Sequence, residues 1–182
     1  FFVLLALFGT GMNLMVLAGS IDVLFAGWEF LGISSALLIG FFHERGNAVS
    51  AALRAFVTYR ICDAGLLAAS VVIHRAVGSG DFERLFAGSW PHAESLVPAS
   101  TATIVSLLLV FAAMGKSAQV PFSGWLPRAM EGPTPSSAIF YGALSIHAGA
   151  YVLLRCEALL DQAPVARLAL VVIGIGTALH AN

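Results

Sequence analysis

Charge is scarce in this chain. Only 10% of its residues are Asp, Glu, Lys or Arg, and Lys116 is the single lysine among 182 residues. Soluble globular domains carry about 25% charged residues, so an ordinary water-soluble domain is excluded. No basic run is present, and a formal net charge of -1 carries no message about nucleic acid. Cysteine is reduced to Cys62 and Cys156, inside or at the ends of apolar runs, where they read as small apolar filler. A Gly-rich phosphate loop, a spaced Cys/His metal set and a nucleophile elbow are all missing. Of the five histidines only His147 lies deep in an apolar run, His74 and His180 standing towards run ends, so paired haem ligation is lacking too. The expectation is a chain with no redox cofactor and no metal of its own. There is also no charged amino-terminal region of a signal peptide. The chain opens without Met inside an apolar run and stops in mid-pattern at His180-Ala181-Asn182, as expected of a fragment of a longer protein.

What is present is apolar. The residues are 59% hydrophobic, the mean hydropathy is +0.90, and several runs reach the ~18 residues needed to cross about 30 Å of hydrocarbon as helices. The fold class is therefore all-α, a polytopic transmembrane helical bundle of about five to six spans, one of them broken. The first run is Phe1 to Ala18 and the second Val23 to Phe42, with a polar loop at His43 to Asn47. A third helix over about Ala48 to Ala76 is long for one span and predicts tilt or projection beyond the bilayer. Gly78 to Pro98 is hydrophilic and predicts a short surface helix, with Phe82, Phe86 and Trp90 suited to an interface. The fourth helix, Ala99 to about Met130, breaks between Ser117 and Pro127. A fifth runs from about Ser136 to Cys156, and after a turn (Glu157 to Pro164) a sixth starts at Val165. Arg75, Arg84, Arg155 and Arg167 fall on one side, Arg45 and Arg128 on the other. That bias is too small to set orientation.

The few charges inside the apolar runs carry the chemistry. Glu29 interrupts the second helix, and an acid at membrane depth marks either an ion pathway or a structural ion pair. Lys116 stands near the end of an apolar run, with Pro121 five residues on. Proline frees backbone groups that membranes tolerate only where protein or water covers them. A lone charge beside a broken helix is a pointer to an ion site; snorkelling to the interface is the plainer alternative. Burial disfavours the charged form of either group and an opposite charge restores it, so an acid moving relative to an amine is a proton switch. Arg60 and Asp63, spaced i, i+3, share a helix face and form either a fixed salt bridge or a gate. Arg54 lies farther round the same helix. His147, flanked by Ser145, Ala148 and Gly149, is either a satisfied core histidine or the next proton carrier.

These residues resemble the antiporter-like membrane subunits of respiratory complex I, chain 5 or chain L of NADH:quinone oxidoreductase, and the related A subunit of multisubunit sodium/proton antiporters. The segments that carry the likeness are Trp28-Glu29 with Leu38-Ile39-Gly40-Phe41, then Arg60 with Asp63. Most specific are Gly115-Lys116-Ser117-Ala118-Gln119-Val120-Pro121, Trp125-Leu126-Pro127 and Met130-Glu131-Gly132-Pro133-Thr134-Pro135. The resemblance implies that residues 1–182 form a single transmembrane domain, helices four to eight and the start of nine of a longer chain with inverted repeats. It implies that Glu29 and Lys116 transfer protons, with His147 next in line, and that Arg60 and Asp63 are the gating ion pair. It implies membrane partner subunits, with NADH, flavin, iron–sulfur clusters and quinone held elsewhere. A bacterial inner-membrane location and protons as the transported ion, with sodium as a further candidate, follow from the same likeness. A multisubunit antiporter or a proton-driven inorganic-carbon uptake system is the alternative. Two positions depart from the family pattern: Tyr141 stands where chain 5 usually has a histidine, and His147 where several relatives carry a lysine or an uncharged residue.

Overall fold

A computed structural model describes residues 1–87, 94–138 and 144–181. Trp90, His92 and Tyr141 lie outside the described residues. The first helix, α1 (Phe2–Val16), turns through Leu17 to Ser20 into α2 (Ile21–Ile39). Ser20 caps α2, its hydroxyl accepting from the Val23 amide at 3.3 Å, which satisfies one of the unpaired donors of a helix start. The two helices pack closely because Gly27 has no side chain: a Cβ there would stand 2.5 Å from the Met15 amide nitrogen. Small residues at helix contacts are the usual means of close approach in a membrane.

After Gly40 to Arg45 the chain enters α3 (Gly46–Val77), 32 residues long. At 1.5 Å per residue it runs roughly 48 Å, more than the ~30 Å hydrocarbon layer. It stops at Gly78, whose φ of +77° is the left-handed conformation glycine adopts freely. The hydrophilic segment begins with the short α4 (Phe82–Leu85) and two-residue strands β1 (Phe86–Ala87) and β2 (Glu94–Ser95), paired antiparallel. Phe86 is half-buried, but Phe82 is buried rather than interfacial, stacked on Phe86 and covered by the Arg155 guanidinium 5.0 Å from its ring.

The next helix, α5 (Ala99–Lys116), packs along α3, with Gly115 seated against Cys62. Cys62 and Cys156 are both buried and free. The break after α5 is sharp. Ala118 adopts a φ of +49°, Gln119 N–H donates to the Met114 carbonyl at 2.9 Å and Ala118 N–H to Gly115 at 3.4 Å. This is a Schellman ending with alanine at the position glycine usually takes. Two 3-10 turns, Phe122–Trp125 and Pro127–Glu131, follow. The Trp125 indole returns to donate to the Gly115 carbonyl at 3.0 Å, using an acceptor that the lost helix would have occupied.

The fifth expected helix is not continuous among the described residues. It comprises α6 (Thr134–Ala138) and α7 (His147–Arg155), with turns at 144–146 before α7. The Ile146 carbonyl accepts the Ser117 hydroxyl at 2.7 Å, so the start of α7 is tied to the break after α5. The other end of α7 is fastened to the start of the chain by Tyr151 Oη to Val16 O at 2.8 Å and Arg155 to Ala18 O at 2.9 Å. The expected turn after Cys156 holds the short α8 (Glu157–Asp161), and α9 (Pro164–Ala181) follows, with only Ala166 buried. Among the described residues α2, α3, α5 and α9 are long and apolar enough to cross a membrane. The shorter apolar α1 stands where the first expected span was placed, and the stretch expected as the fifth span includes residues outside the described ones.

Candidate functional site

Where α2, α3 and α5 meet, four charges from these three helices form one chain. From α2, Glu29 accepts a hydrogen bond from Arg60 Nη1 of α3. The other arm of the same guanidinium, Nη2, donates to Asp63 Oδ2 at 2.7 Å. That carboxylate oxygen also faces Lys116 Nζ at 3.8 Å. Asp63 Oδ1 accepts from the Trp28 indole N–H. One carboxylate thus serves two cations and an indole, and one guanidinium bridges two carboxylates.

Burial is graded along the chain. The side chains of Lys116 and Asp63 are 1% and 3% exposed, those of Glu29 and Arg60 19% and 34%. Lys116 does not snorkel. Its ammonium has no hydrogen-bond partner among the described residues; Asp63 lies beyond hydrogen-bond reach, and the rings of Tyr59 and Trp28 stand 4.3 and 5.4 Å away. Aromatic faces attract a cation by about 0.5 to 2 kcal/mol, less than an ammonium needs to compensate for lost water. The Asp63 charge at this distance contributes about 4 kcal/mol at an effective dielectric constant of 20. Desolvation costs several kcal/mol per buried ion. The two are of similar size.

The position of Lys116 follows from the broken helix. It is the last residue of α5, where the helix dipole favours a cation. Space for its ammonium comes from Gly32 of α2: a Cβ there would sit 2.5 Å from Lys116 Nζ and 3.2 Å from Arg60 Nη2. Gly32, Trp28 and Tyr59 were not legible as parts of the site. The available signals were that Gly32 is three residues beyond Glu29, on the same helix face, and that Trp28 adjoins it.

The pairing differs from the simplest expectation in one respect. The acid nearest Lys116 is Asp63; Glu29 is linked to it only through Arg60 and Asp63. His147 is not brought into this chain. It is the first residue of α7 and is exposed, with no hydrogen bond or ion pair to the four charges among the described residues. Its neighbour Ile146 is nevertheless held by Ser117, next to Lys116. Among the described residues no cluster of three or more His, Cys, Asp or Glu side chains is placed to hold a metal ion.

Membrane-length helices joined by a partly buried chain of ion pairs mark an integral membrane protein. More narrowly, the chain belongs to the NADH:quinone oxidoreductase/Mrp antiporter transmembrane family, which it matches over residues 18–182. It is similar to NADH-ubiquinone oxidoreductase chain 5 of Schizophyllum commune, 42% identical over 181 residues, covering 100% of this chain and 26% of that protein. It is also similar to NADH-quinone oxidoreductase subunit L of Mycobacterium tuberculosis, 41% identical over 98% of this chain and 28% of that protein. Among solved structures, a chain of the Mrp complex from Dietzia sp. DQ12-45-1b superposes with a TM-score of 0.83 at 33% identity, covering 94% of this chain and 18% of that one. The chain therefore spans about a quarter of the length of the curated relatives it matches.

Proposed function

We propose that these residues are the proton-handling unit of a membrane subunit of a complex I-like NADH:quinone oxidoreductase, and that they translocate protons without redox chemistry of their own. NADH, flavin, iron–sulfur clusters and quinone belong to partner subunits in this reading, and the neighbours of this chain are other membrane subunits and lipid. Residues 1–182 act as one transmembrane domain within a longer subunit of a bacterial inner membrane. The observation that carries the reading is the buried Lys116 amine, which has no hydrogen bond among the described residues and has Asp63 as its nearest counter-charge there.

The shared carboxylate supplies the switch. With Glu29 ionised, Arg60 is divided between Glu29 and Asp63. When Glu29 takes up a proton, or is drawn away, Arg60 is left to Asp63 alone. Asp63 then turns towards the guanidinium and gives less to Lys116, and an enclosed ammonium without a carboxylate costs about 3 to 5 kcal/mol. Lys116 releases its proton, and His147, which begins α7 beside the Ser117 anchor, takes it onward. Return of Glu29 to the ionised state draws Arg60 back and frees Asp63 to support a newly charged Lys116. Glu29 admits the proton, Lys116 stores it, His147 passes it on, and Arg60 with Asp63 is the gate.

The test is Lys116→Ala in the intact complex, with proton flux and assembly measured together. The expected result is flux lowered at least about tenfold, the equivalent of ~1.4 kcal/mol, with normal assembly. Unchanged flux would remove Lys116, and with it this mechanism. A multisubunit antiporter is the second reading, favoured by the fold shared with the Mrp complex. Flux that persists without NADH and quinone, and that requires sodium on the opposite side, would select it.

A further inference from the structure

The break after α5 is fastened to α9 by a bond that the relay above does not use. Each amide from Ser117 to Phe122 can be followed to its acceptor. Ser117 N–H donates to Ala113 O at 2.8 Å, Ala118 and Gln119 close the Schellman turn, and Phe122 N–H donates to Gln119 O at 2.6 Å. Pro121 has no N–H to place. Only the Val120 amide leaves the segment. No backbone carbonyl among the described residues accepts it, and it donates to Thr177 Oγ1 of α9 at 3.1 Å. The Thr177 hydroxyl in turn donates to Ile173 O, one turn back on α9, at 2.8 Å. A hydroxyl has one hydrogen and two lone pairs, so giving the hydrogen to Ile173 leaves a lone pair aimed at Val120.

Thr177 is the polar member of an otherwise apolar stripe. Ala166 is buried, and Leu170 and Ile173 are partly buried against the core. With Thr177 they are spaced four, three and four residues apart, which puts all of them on one face of α9. That face meets α5, while Leu168, Val172, Ile175 and Leu179 on other faces are exposed. Apolar contacts are non-directional, so such a stripe resists sliding only weakly. A hydrogen bond has a required distance and direction. Thr177 therefore fixes how far along its axis α9 meets the break.

The break in turn carries Lys116, four residues before Val120. The chain between them has little slack: the Ser117 hydroxyl is held by Ile146 O and the Gln119 amide by Met114 O. Lys116 Nζ has little room at its far end, with the Gly32 backbone on one side and Asp63 Oδ2 at 3.8 Å. We propose that Thr177 is a positioning residue for Lys116: by accepting from Val120 N–H it holds the end of α5 against α9, and so sets where the Lys116 amine lies relative to Asp63. Thr177 does not itself handle the proton. Without its hydroxyl the Val120 amide has no acceptor, and in an apolar setting the break must shift to find one. The effect on transport rests on the proton-translocation reading; the tie between Val120 and Thr177 does not.

The test compares Thr177→Val, which keeps the shape without the hydroxyl, with Thr177→Ser, which keeps the hydroxyl, both in the intact complex. Hydrogen exchange over residues 117–126, read by mass spectrometry, follows the tie without any transport. Exchange at least about tenfold faster in Thr177→Val and near wild type in Thr177→Ser is expected. Unchanged exchange in Thr177→Val overturns the tie. The second arm is proton flux in vesicles, counted per assembled complex so that a loss of stability alone does not move it. Flux at least about threefold lower in Thr177→Val, restored in Thr177→Ser, is expected of a misplaced amine. Equal flux in the two variants, whether near wild type or uniformly low, overturns the positioning role. Thr177→Ala also lacks the hydroxyl and is to follow Thr177→Val, which keeps both arms readable should the valine variant fail to assemble. If Lys116→Ala left flux unchanged while Thr177→Val still released the amide, the pumping mechanism would fail and the tie would stand.

Discussion

Among single residues, the candidate site centres on Lys116, whose amine is enclosed away from water. Asp63 supplies the counter-charge, but Gly32 supplies the room, and the room is as exacting as the charge. Gly32→Ala places a methyl where Lys116 Nζ and Arg60 Nη2 now lie. Overpacking costs about 1 to 3 kcal/mol in ordinary cores; here the strain falls on the charged side chains of the candidate site. The expected outcome is an assembled complex whose flux is at least about tenfold lower, measured alongside subunit content. Wild-type flux in Gly32→Ala would show that the ammonium tolerates displacement. Lys116, Glu29, Arg60 and Asp63 were legible in the sequence because charge in an apolar run is itself anomalous. Gly32, Tyr59 and Trp28 were not, because a glycine or an aromatic is ordinary in a membrane helix and gains meaning only from what it faces. That Lys116 answers to Asp63 before Glu29 was likewise beyond the sequence: the spacing within α3 puts Asp63 and Arg60 on one face but does not say which helix lies opposite.

The element that matters most is α5 and its ending. Pro121 announces a break, and the structure puts the last helical residue at Lys116, with Ala118 at a φ of +49°. An L-residue in this conformation costs roughly 1 to 2 kcal/mol, a penalty glycine escapes. Ala118→Gly is therefore expected to keep or raise thermal stability, by no more than about 1 kcal/mol because glycine also loses more chain entropy. Ala118→Val is expected to lose at least about 1 to 3 kcal/mol, since a β-branched residue fits this region poorly. Thermal unfolding of the detergent-solubilised complex measures both; an Ala118→Val variant as stable as wild type would contradict the described turn. Whereas α8 falls where a turn was expected, the existence of the long helices α1, α2, α3, α5 and α9 was readable from hydrophobic run length. The interruption before His147 was not, because Leu144 to Ile146 contains neither proline nor glycine, and the Ile146 carbonyl is taken by Ser117, a partner 29 positions away.

Taken as a whole, the described residues form a bundle whose core is apolar apart from a few polar groups, Asp63 and Lys116 among them, and whose exterior is also largely apolar. Leu53, Val57, Ile61, Leu67 and Val71 of α3 and Val171, Val172, Ile175 and Leu179 of α9 are exposed, as suits a surface that meets lipid or other membrane helices. Glu29, Arg60, Asp63 and Lys116 instead lie between α2, α3 and α5. Composition alone pointed to the membrane class, while the hydrophilic segment after α3 yielded its location but not its short strands or the burial of Phe82. Asp63 and Lys116 stand on different helices of this bundle, and the mechanism requires them to act on the proton as one unit. A double-mutant cycle of proton flux in the intact complex, with Asp63→Asn, Lys116→Ala and the two combined, decides whether they do. Coupled groups predict a double variant no slower than the slower single one, giving an interaction energy of about 1 kcal/mol or more; two independent losses that simply multiply would contradict it.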